Sequence, residues 1–290
     1  MRKCLLLFLI FCATRLLSAS VQQIGPDLYA YVSSNDASAN STFLVSEKGV
    51  LVVDTGLNAA EGKKLLGEIR QISSAPVRWI VNTHYHPDHR GGNRTVGPDA
   101  MVISTRYTRE QALAMSSRSN GVEARSYENN VVVEKELTLF VGIHEVRIYF
   151  PGPAHTKGDL VIYFPDERAL ATGDLFLTNS CPAMDNGDME SWIASLDQML
   201  GLPVEHVVPG HFEVASKAEL GRFRDYLTAL RDQVRAMRAR GDSPETIRKN
   251  LHLEQFSNFR QYPQYEATFA DNAAEYYREL QAGSTKPAQH

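Results

Sequence analysis

The chain has 290 residues, of which 43% are hydrophobic and 22% charged, a profile that excludes a disordered or fibrous chain and provides ample material for a buried core. Thirty Lys and Arg against 34 Asp and Glu give a formal charge of −4, and a surface of that sign repels phosphate backbones, which argues against a nucleic-acid partner. Of three cysteines, Cys4 and Cys12 lie at the extreme N-terminus, so Cys181 has no partner for an internal disulfide once that segment is removed.

Met1-Arg2-Lys3 is a basic start, Cys4 to Ala13 a short apolar run, and Leu17-Ser18-Ala19 ends in small residues. This is the layout of a signal peptide over residues 1–19, and its apolar run is too short to cross a bilayer comfortably. A retained membrane anchor is the competing reading. Cleavage would remove three basic residues (Arg2, Lys3 and Arg15) and no acidic one, taking the charge from −4 to −7. The expectation is a periplasmic or secreted protein with no stable membrane anchor after cleavage.

Asp27 to Ser33 and Thr42 to Ser46 alternate apolar and polar residues, and Val50 to Val53 is an apolar run ending at Asp54-Thr55-Gly56. They predict antiparallel strands joined by turns such as Glu47-Lys48-Gly49. Asn58 to Ile72 has helical spacing, and Pro76 precedes a further apolar strand, Val77 to Val81, so strand, helix and strand form a crossover unit. Met101 to Ser104 predicts a strand, Arg106 to Met115 a helix, and Ser116 to Asn130 a polar loop. Strands return from Val131 to Phe150, with Leu160 to Phe164 and Ala169 to Thr172 paired across the turn Pro165-Asp166-Glu167-Arg168. Met189 to Leu200, Ala215 to Arg240, Pro244 to Leu251 and Pro263 to Leu280 have helical periods. The aromatic stripe of the last (Tyr265, Phe269, Tyr276, Tyr277) is expected to pack in the core. One domain is expected over residues 20–281, with C-terminal helices from about 215 and a disordered tail at 282–290.

The strand at Val77 delivers Thr83-His84-Tyr85-His86-Pro87-Asp88-His89, three imidazoles and a carboxylate within six positions. A lone histidine is usually an ordinary core or surface residue, but this density at a strand end has the chemistry of a site for zinc, iron or manganese. His84 and His86 can point the same way from extended backbone, whereas Asp88 and His89 would splay towards a second position, so the spacing suggests two adjacent metals. Three later strands also end in candidate ligands: His155 in Pro153-Ala154-His155-Thr156, Asp174 in Thr172-Gly173-Asp174, and His211 in Pro209-Gly210-His211. His144, His206 and His252 match no ligand motif.

This set resembles the signature of the metallo-β-lactamase superfamily, over roughly residues 25–215. The resemblance implies an α/β (α+β) fold, a four-layer αββα sandwich with the metals at one edge. It implies one metal on His84, His86 and His155, another on Asp88, His89 and His211, and Asp174 between them; Ala154 departs from the family's glycine before the third histidine. Asp54, in Val53-Asp54-Thr55-Gly56, matches a carboxylate that supports the site's loops. Two Zn2+ per chain are expected, with iron or manganese as substitutes. Two close cations lower the pKa of a bridging water, and the hydroxide would attack the carbonyl of a small acyl substrate (thioester, lactone, ester or β-lactam), with Asp88 orienting it and shuttling its proton. Asp174 makes the ligand set look like that of glyoxalase II and lactonases, whereas exported β-lactamases of the superfamily have cysteine or serine there. The alternatives are a β-lactamase, an iron-dependent persulfide-dioxygenase-like oxidoreductase and a non-enzymatic metal- or partner-binding protein. The sequence leaves the oligomeric state open.

Overall fold

Period-two alternation divides the strands between two core layers. The computed structural model describes residues 19–116, 130–184 and 187–284; the expected signal segment, apart from Ala19, and most of the expected loop at 116–130 lie outside them. The first sheet has seven strands in chain order: β1 (Ser20–Gln23), β2 (Leu28–Val32), β3 (Ser41–Ser46), β4 (Gly49–Val53), β5 (Val77–Val81), β6 (Met101–Thr105) and β7 (Asn130–Val133). β1 to β4 form an antiparallel meander, and β4 to β7 pair in parallel. The second sheet has β8 (Glu136–Val141), β9 (His144–Tyr149), β10 (Val161–Phe164), β11 (Ala169–Gly173) and β12 (His206–Pro209), antiparallel except for β11 with β12.

Leu28 and Ala30 of β2, Leu51 and Val53 of β4, and Ile162 and Phe164 of β10 face the layer between the sheets. Their neighbours Tyr31, Val50 and Val52 turn outward against α1 (Ala59–Ile72), whose Leu65 and Ile69 complete that layer. Asn58 caps α1 by accepting from the Ala60 and Glu61 amides. On the far side, Val161, Tyr163, Leu170 and Val207 pack under α5 (Met189–Leu200), α6 (Lys217–Ala239), α7 (Pro244–Asn250) and α8 (Phe269–Ser284). The order is helix, sheet, sheet, helix: the expected four-layer αββα sandwich.

Four details differ from the sequence expectation. The histidine stretch is not purely a loop: Pro87 starts a single turn, α2 (Pro87–Arg90), and α3 (Asn93–Val96) follows, while α4 (Arg106–Ser116) covers β6 as expected. The last helix starts at Phe269, not Pro263, because Pro263–Tyr265 is a separate 3-10 turn ended by Glu266 at φ 52°. Thr268 then caps the helix, its Oγ1 accepting from the Asp271 amide at 3.0 Å. α8 also runs to Ser284, three residues into the expected tail, whose remainder lies outside the described residues. Within the aromatic stripe, Tyr276 is buried in the core and Phe269 and Tyr277 pack against it, whereas Tyr265 is exposed. No helix among the described residues is long and apolar enough to cross a membrane.

Trp192 of α5 joins the outer helical layer to the rest: it is fully buried, and its Nε1 donates to the Leu175 carbonyl at 2.9 Å. Trp192→Ala is expected to lower stability by about 3–5 kcal/mol through the cavity it leaves, with the orphaned Leu175 carbonyl adding to the loss, measurable as a lower midpoint in urea.

Candidate metal centre

Every candidate ligand leaves the sandwich at the same edge, where β4, β5, β9, β11 and β12 end. After Val53 the chain turns through Asp54 at φ 54°, a left-handed conformation uncommon for a residue with a side chain. The turn aims the carboxylate at the next crossover. Oδ1 accepts from the Thr83 amide at 2.9 Å, Oδ2 accepts from Thr83 Oγ1 at 2.7 Å, and Oδ2 also lies 2.7 Å from His89 Nδ1. Thr83 Oγ1 is in turn 3.1 Å from His84 Nδ1. One buried carboxylate therefore sets the orientation of two imidazoles: their Nδ1 atoms face outward to it and to Thr83, and their Nε2 atoms point inward.

His155 reaches the same space from the loop between β9 and β10. Its Nδ1 donates to the Ala183 carbonyl at 3.0 Å, which leaves Nε2 bare, and its ring rests on Trp192 at a centroid distance of 5.7 Å. Asp174 follows Gly173, at φ 50°, where a Cβ would lie 2.3 Å from Thr83 Oγ1. Gly210 precedes His211, and there a Cβ would lie 1.9 Å from Asp174 Oδ1. Both positions need glycine: at Gly173 a side chain would strike Thr83 of the β5 loop, and at Gly210 it would strike the Asp174 carboxylate. Asn40, which sequence reasoning passed over, ties the first sheet to this loop: its Nδ2 donates to the Pro209 carbonyl at 3.1 Å and the Phe212 carbonyl at 2.7 Å. Nothing in an isolated asparagine between two strands signals such a role.

The donors divide into two sets about Asp174. On one side His84 Nε2 and His86 Nδ1 are 3.0 Å apart, His155 Nε2 and His86 Nδ1 are 3.2 Å apart, and Asp174 Oδ2 is 3.5 Å from His155 Nε2 and 3.9 Å from His84 Nε2. On the other, Asp88 Oδ2 is 3.2 Å from His211 Nε2 and 3.5 Å from His89 Nε2, and Asp174 Oδ1 is 3.2 Å from His89 Nε2 and 3.7 Å from His211 Nε2. Each set keeps its ligand atoms within 4.8 Å of one another. The sequence named all seven residues, and the fold brings all seven together. His89 Nε2 and Asp174 Oδ1 are buried with no hydrogen-bond partner among the described residues. These orphaned atoms, and donor atoms converging at about 3 Å, fit a divalent cation at this edge, and the nitrogen and oxygen donors suit zinc, iron or manganese.

The two sets differ electrostatically. Burial, then the charges of His89 and His86, hold the His84 pKa well below its ordinary value, and burial followed by the charge of His155 holds His86 down to about 4. Burial opposes charge on His89 too, but Asp174, Asp54 and Asp88 outweigh it and raise its pKa well above the usual imidazole range. Burial is likewise overcome at His211 by Asp174 and Asp88, and its pKa rises. The reciprocal effect overcomes burial at Asp174 and Asp88 and lowers both.

Both sets open on a cavity of about 960 Å³. Leu177, Met184, Phe212 and Tyr262 give it an apolar wall, and Glu275 and Arg278 of α8 close the far side. Phe212, at φ 73°, stacks on Tyr262 with ring centroids 5.8 Å apart and planes 4° from parallel, and the Arg260 guanidinium lies 4.4 Å from the Phe212 centroid. Cys181 is buried, with its thiol pushed up to about 12 by burial, and belongs to neither donor set.

The family model described as the metallo-beta-lactamase superfamily matches residues 35–211, which contain every donor named above. The alpha subunit of 2,4-dinitroanisole O-demethylase from Nocardioides sp. (strain JS1661) is 28% identical over 176 residues, 60% of this chain and 52% of that protein. The linear primary-alkylsulfatase of Pseudomonas sp. (strain ATCC 19151) is 25% identical over 255 residues, 71% of this chain and 48% of that protein. The chain thus spans about half the length of these curated relatives. Among solved structures, a metallo-beta-lactamase from Pontibacter korlensis superposes on 73% of this chain and 99% of its own, with 22% identity and a TM-score of 0.61. The stereoselective inverting sec-alkylsulfatase of Pseudomonas sp. covers 93% of this chain and 52% of its own, with 18% identity and a TM-score of 0.73.

The electrostatic asymmetry has a measurable consequence. With raised pKa values, His89 and His211 hold protons near neutrality in the metal-free protein, whereas His84 and His86 are already neutral. Zinc added to metal-free protein at pH 7 is therefore expected to release protons chiefly from the second set, and its affinity there to rise with pH. Titration in buffers of different ionisation enthalpy measures the count: His89→Ala should release fewer protons than the parent, and His86→Ala nearly as many.

Proposed function

The chain belongs to the metallo-β-lactamase superfamily, and from that membership and the site's geometry we propose that it is an exported dinuclear zinc hydrolase of small acyl substrates. The observation that carries the reading is the position of Asp174, whose two oxygens each face a separate set of three donors. In this reading His84, His86 and His155 hold one ion, Asp88, His89 and His211 hold the other, and Asp174 is shared. When bound, such a pair supplies a water of lowered pKa and polarises the bond to be cut. Asp54, Thr83 and the Ala183 carbonyl keep the imidazoles aimed, so the site is organised before substrate arrives. Asp88 stands at the cavity, its side chain about a quarter exposed, where its carboxylate can orient the attacking water and accept its proton.

The cavity narrows the substrate. The wall of Leu177, Met184, Phe212 and Tyr262 suits an apolar arm. Asp271 and Glu275 are ion-paired with Arg248 and Arg278, and Asp36 and Glu266 add negative charge to the lining, so the rim offers little free positive charge to a multiply anionic molecule. Thioesters, lactones and esters with an apolar portion fit this description. A second reading, a sulfate ester of an apolar alcohol, is favoured by a separate observation. The sec-alkylsulfatase fold extends over 93% of the chain and so shares most of the helical layer that closes the cavity, beyond the residues the superfamily model matches. Export rests on residues 1–19 acting as a cleaved signal, which the mass of the mature protein would reveal.

Zinc-loaded protein should hydrolyse acyl substrates in a chelator-sensitive manner. An aryl ester, a thioester, a lactone, a linear alkyl sulfate and a chromogenic cephalosporin would be compared. Sulfate release without acyl turnover selects the second reading, and cephalosporin opening alone selects a β-lactamase. Absence of all turnover by protein carrying both ions contradicts the hydrolase assignment. Asp88→Ala is expected to lower kcat by about 10²–10⁴-fold with the far-UV circular dichroism unchanged.

A further inference from the structure

At the opposite pole of the sandwich, the N-terminal end of β11 places a second group of ligand-type side chains one strand length, about 16 Å, from Asp174. His144 opens β9 after the hairpin at Gly142-Ile143, and Asp166 and Glu167 lie in the turn between β10 and β11. Their ligand atoms lie within 4.8 Å of one another. Three contacts make this more than a chance meeting of surface charges.

His144 is flanked on both ring nitrogens by carboxylates. Nε2 lies 3.3 Å from Asp27 Oδ2, and Nδ1 lies 3.3 Å from Glu167 Oε1. Each ring nitrogen thus faces a carboxylate oxygen, and the Nδ1–Oε1 contact requires positive charge between the two atoms, a proton or a metal ion. The Glu167 side chain is only 1% exposed, and its Oε2 is buried with no hydrogen-bond partner among the described residues. That burial is built in: Gly25 lies so close that a Cβ there would sit 2.3 Å from Glu167 Cγ. A carboxylate buried in this way with one oxygen unpaired is costly unless it is neutralised.

We propose that His144, Asp166 and Glu167 bind a divalent transition-metal ion, with Asp27 orienting the imidazole from outside. One nitrogen and two carboxylate oxygens, the exposed Asp166 leaving room for water, match a zinc-type set. The ion ties the β8–β9 hairpin to the β10–β11 turn, and through Asp27 to the β1–β2 turn, so it braces both sheets at the end away from the catalytic edge. This site does not depend on the proposed reaction.

Zinc content of the full chain, equilibrated at a fixed micromolar free zinc concentration and measured by plasma mass spectrometry, tests the proposal. His144→Gln, Glu167→Gln and Asp166→Asn should each carry one ion fewer than the parent, and the rise in Tm on adding zinc should shrink in all three. Asp166 is exposed, so its substitution tests ligation without disturbing the core. Equal zinc content in the parent and Asp166→Asn, with an equal Tm rise, would overturn it and leave His144 as an imidazolium held between Asp27 and Glu167.

Discussion

The structure depends on one constraint: five imidazoles and two carboxylates crowd the same edge of the sandwich with donor atoms 3.0–3.9 Å apart. Lone pairs brought this close repel one another unless positive charge lies between them. In the absence of metal that charge is a proton, and only where carboxylates are near enough to hold it, at His89 and His211. In the set containing His84 and His86 the balance falls the other way: those two residues are driven neutral by burial and by neighbouring imidazoles, which outweigh Asp174. Holding it together falls to the scaffold.

The scaffold does so with few parts. Asp54 in its left-handed turn binds Thr83 and His89 directly and His84 through Thr83, so a single residue at the end of β4 organises ligands delivered by β5. The Ala183 carbonyl serves His155, and Asn40 pins the loop that carries His211. Gly173 lets the β11 loop approach Thr83, and Gly210 lets the β12 loop close on Asp174. The helical layer adds a different function. Trp192 backs His155, and the segment from Tyr262 to Arg278 walls the cavity, so residues outside the superfamily match shape the space a substrate would enter.

Much of this was legible in the sequence because the relevant signals are local. Alternating runs such as Leu28 to Val32 and the apolar run Val50 to Val53 mark strands, and ligand-type residues at successive strand ends announce a site whatever their separation along the chain. Other features are invisible locally. The left-handed Glu266 splits Pro263–Tyr265 from α8, and Tyr262, which bridges to Ala267 across that turn, is held by its stack on the distant Phe212. Asn40 has no periodic or motif context, and Phe212 shows its strained backbone and its stack on Tyr262 only when folded. His144 matched no ligand motif because its neighbours come from separate turns, Asp27 more than a hundred residues before it and Glu167 beyond two strands after it.

We propose that the two donor sets hold two ions sharing Asp174, and anomalous diffraction at the zinc edge from crystals of the metal-loaded protein would locate them. Two strong peaks are expected at this edge of the sandwich, one on each side of the Asp174 carboxylate. A single peak there, or peaks that avoid Asp174, would contradict this proposal.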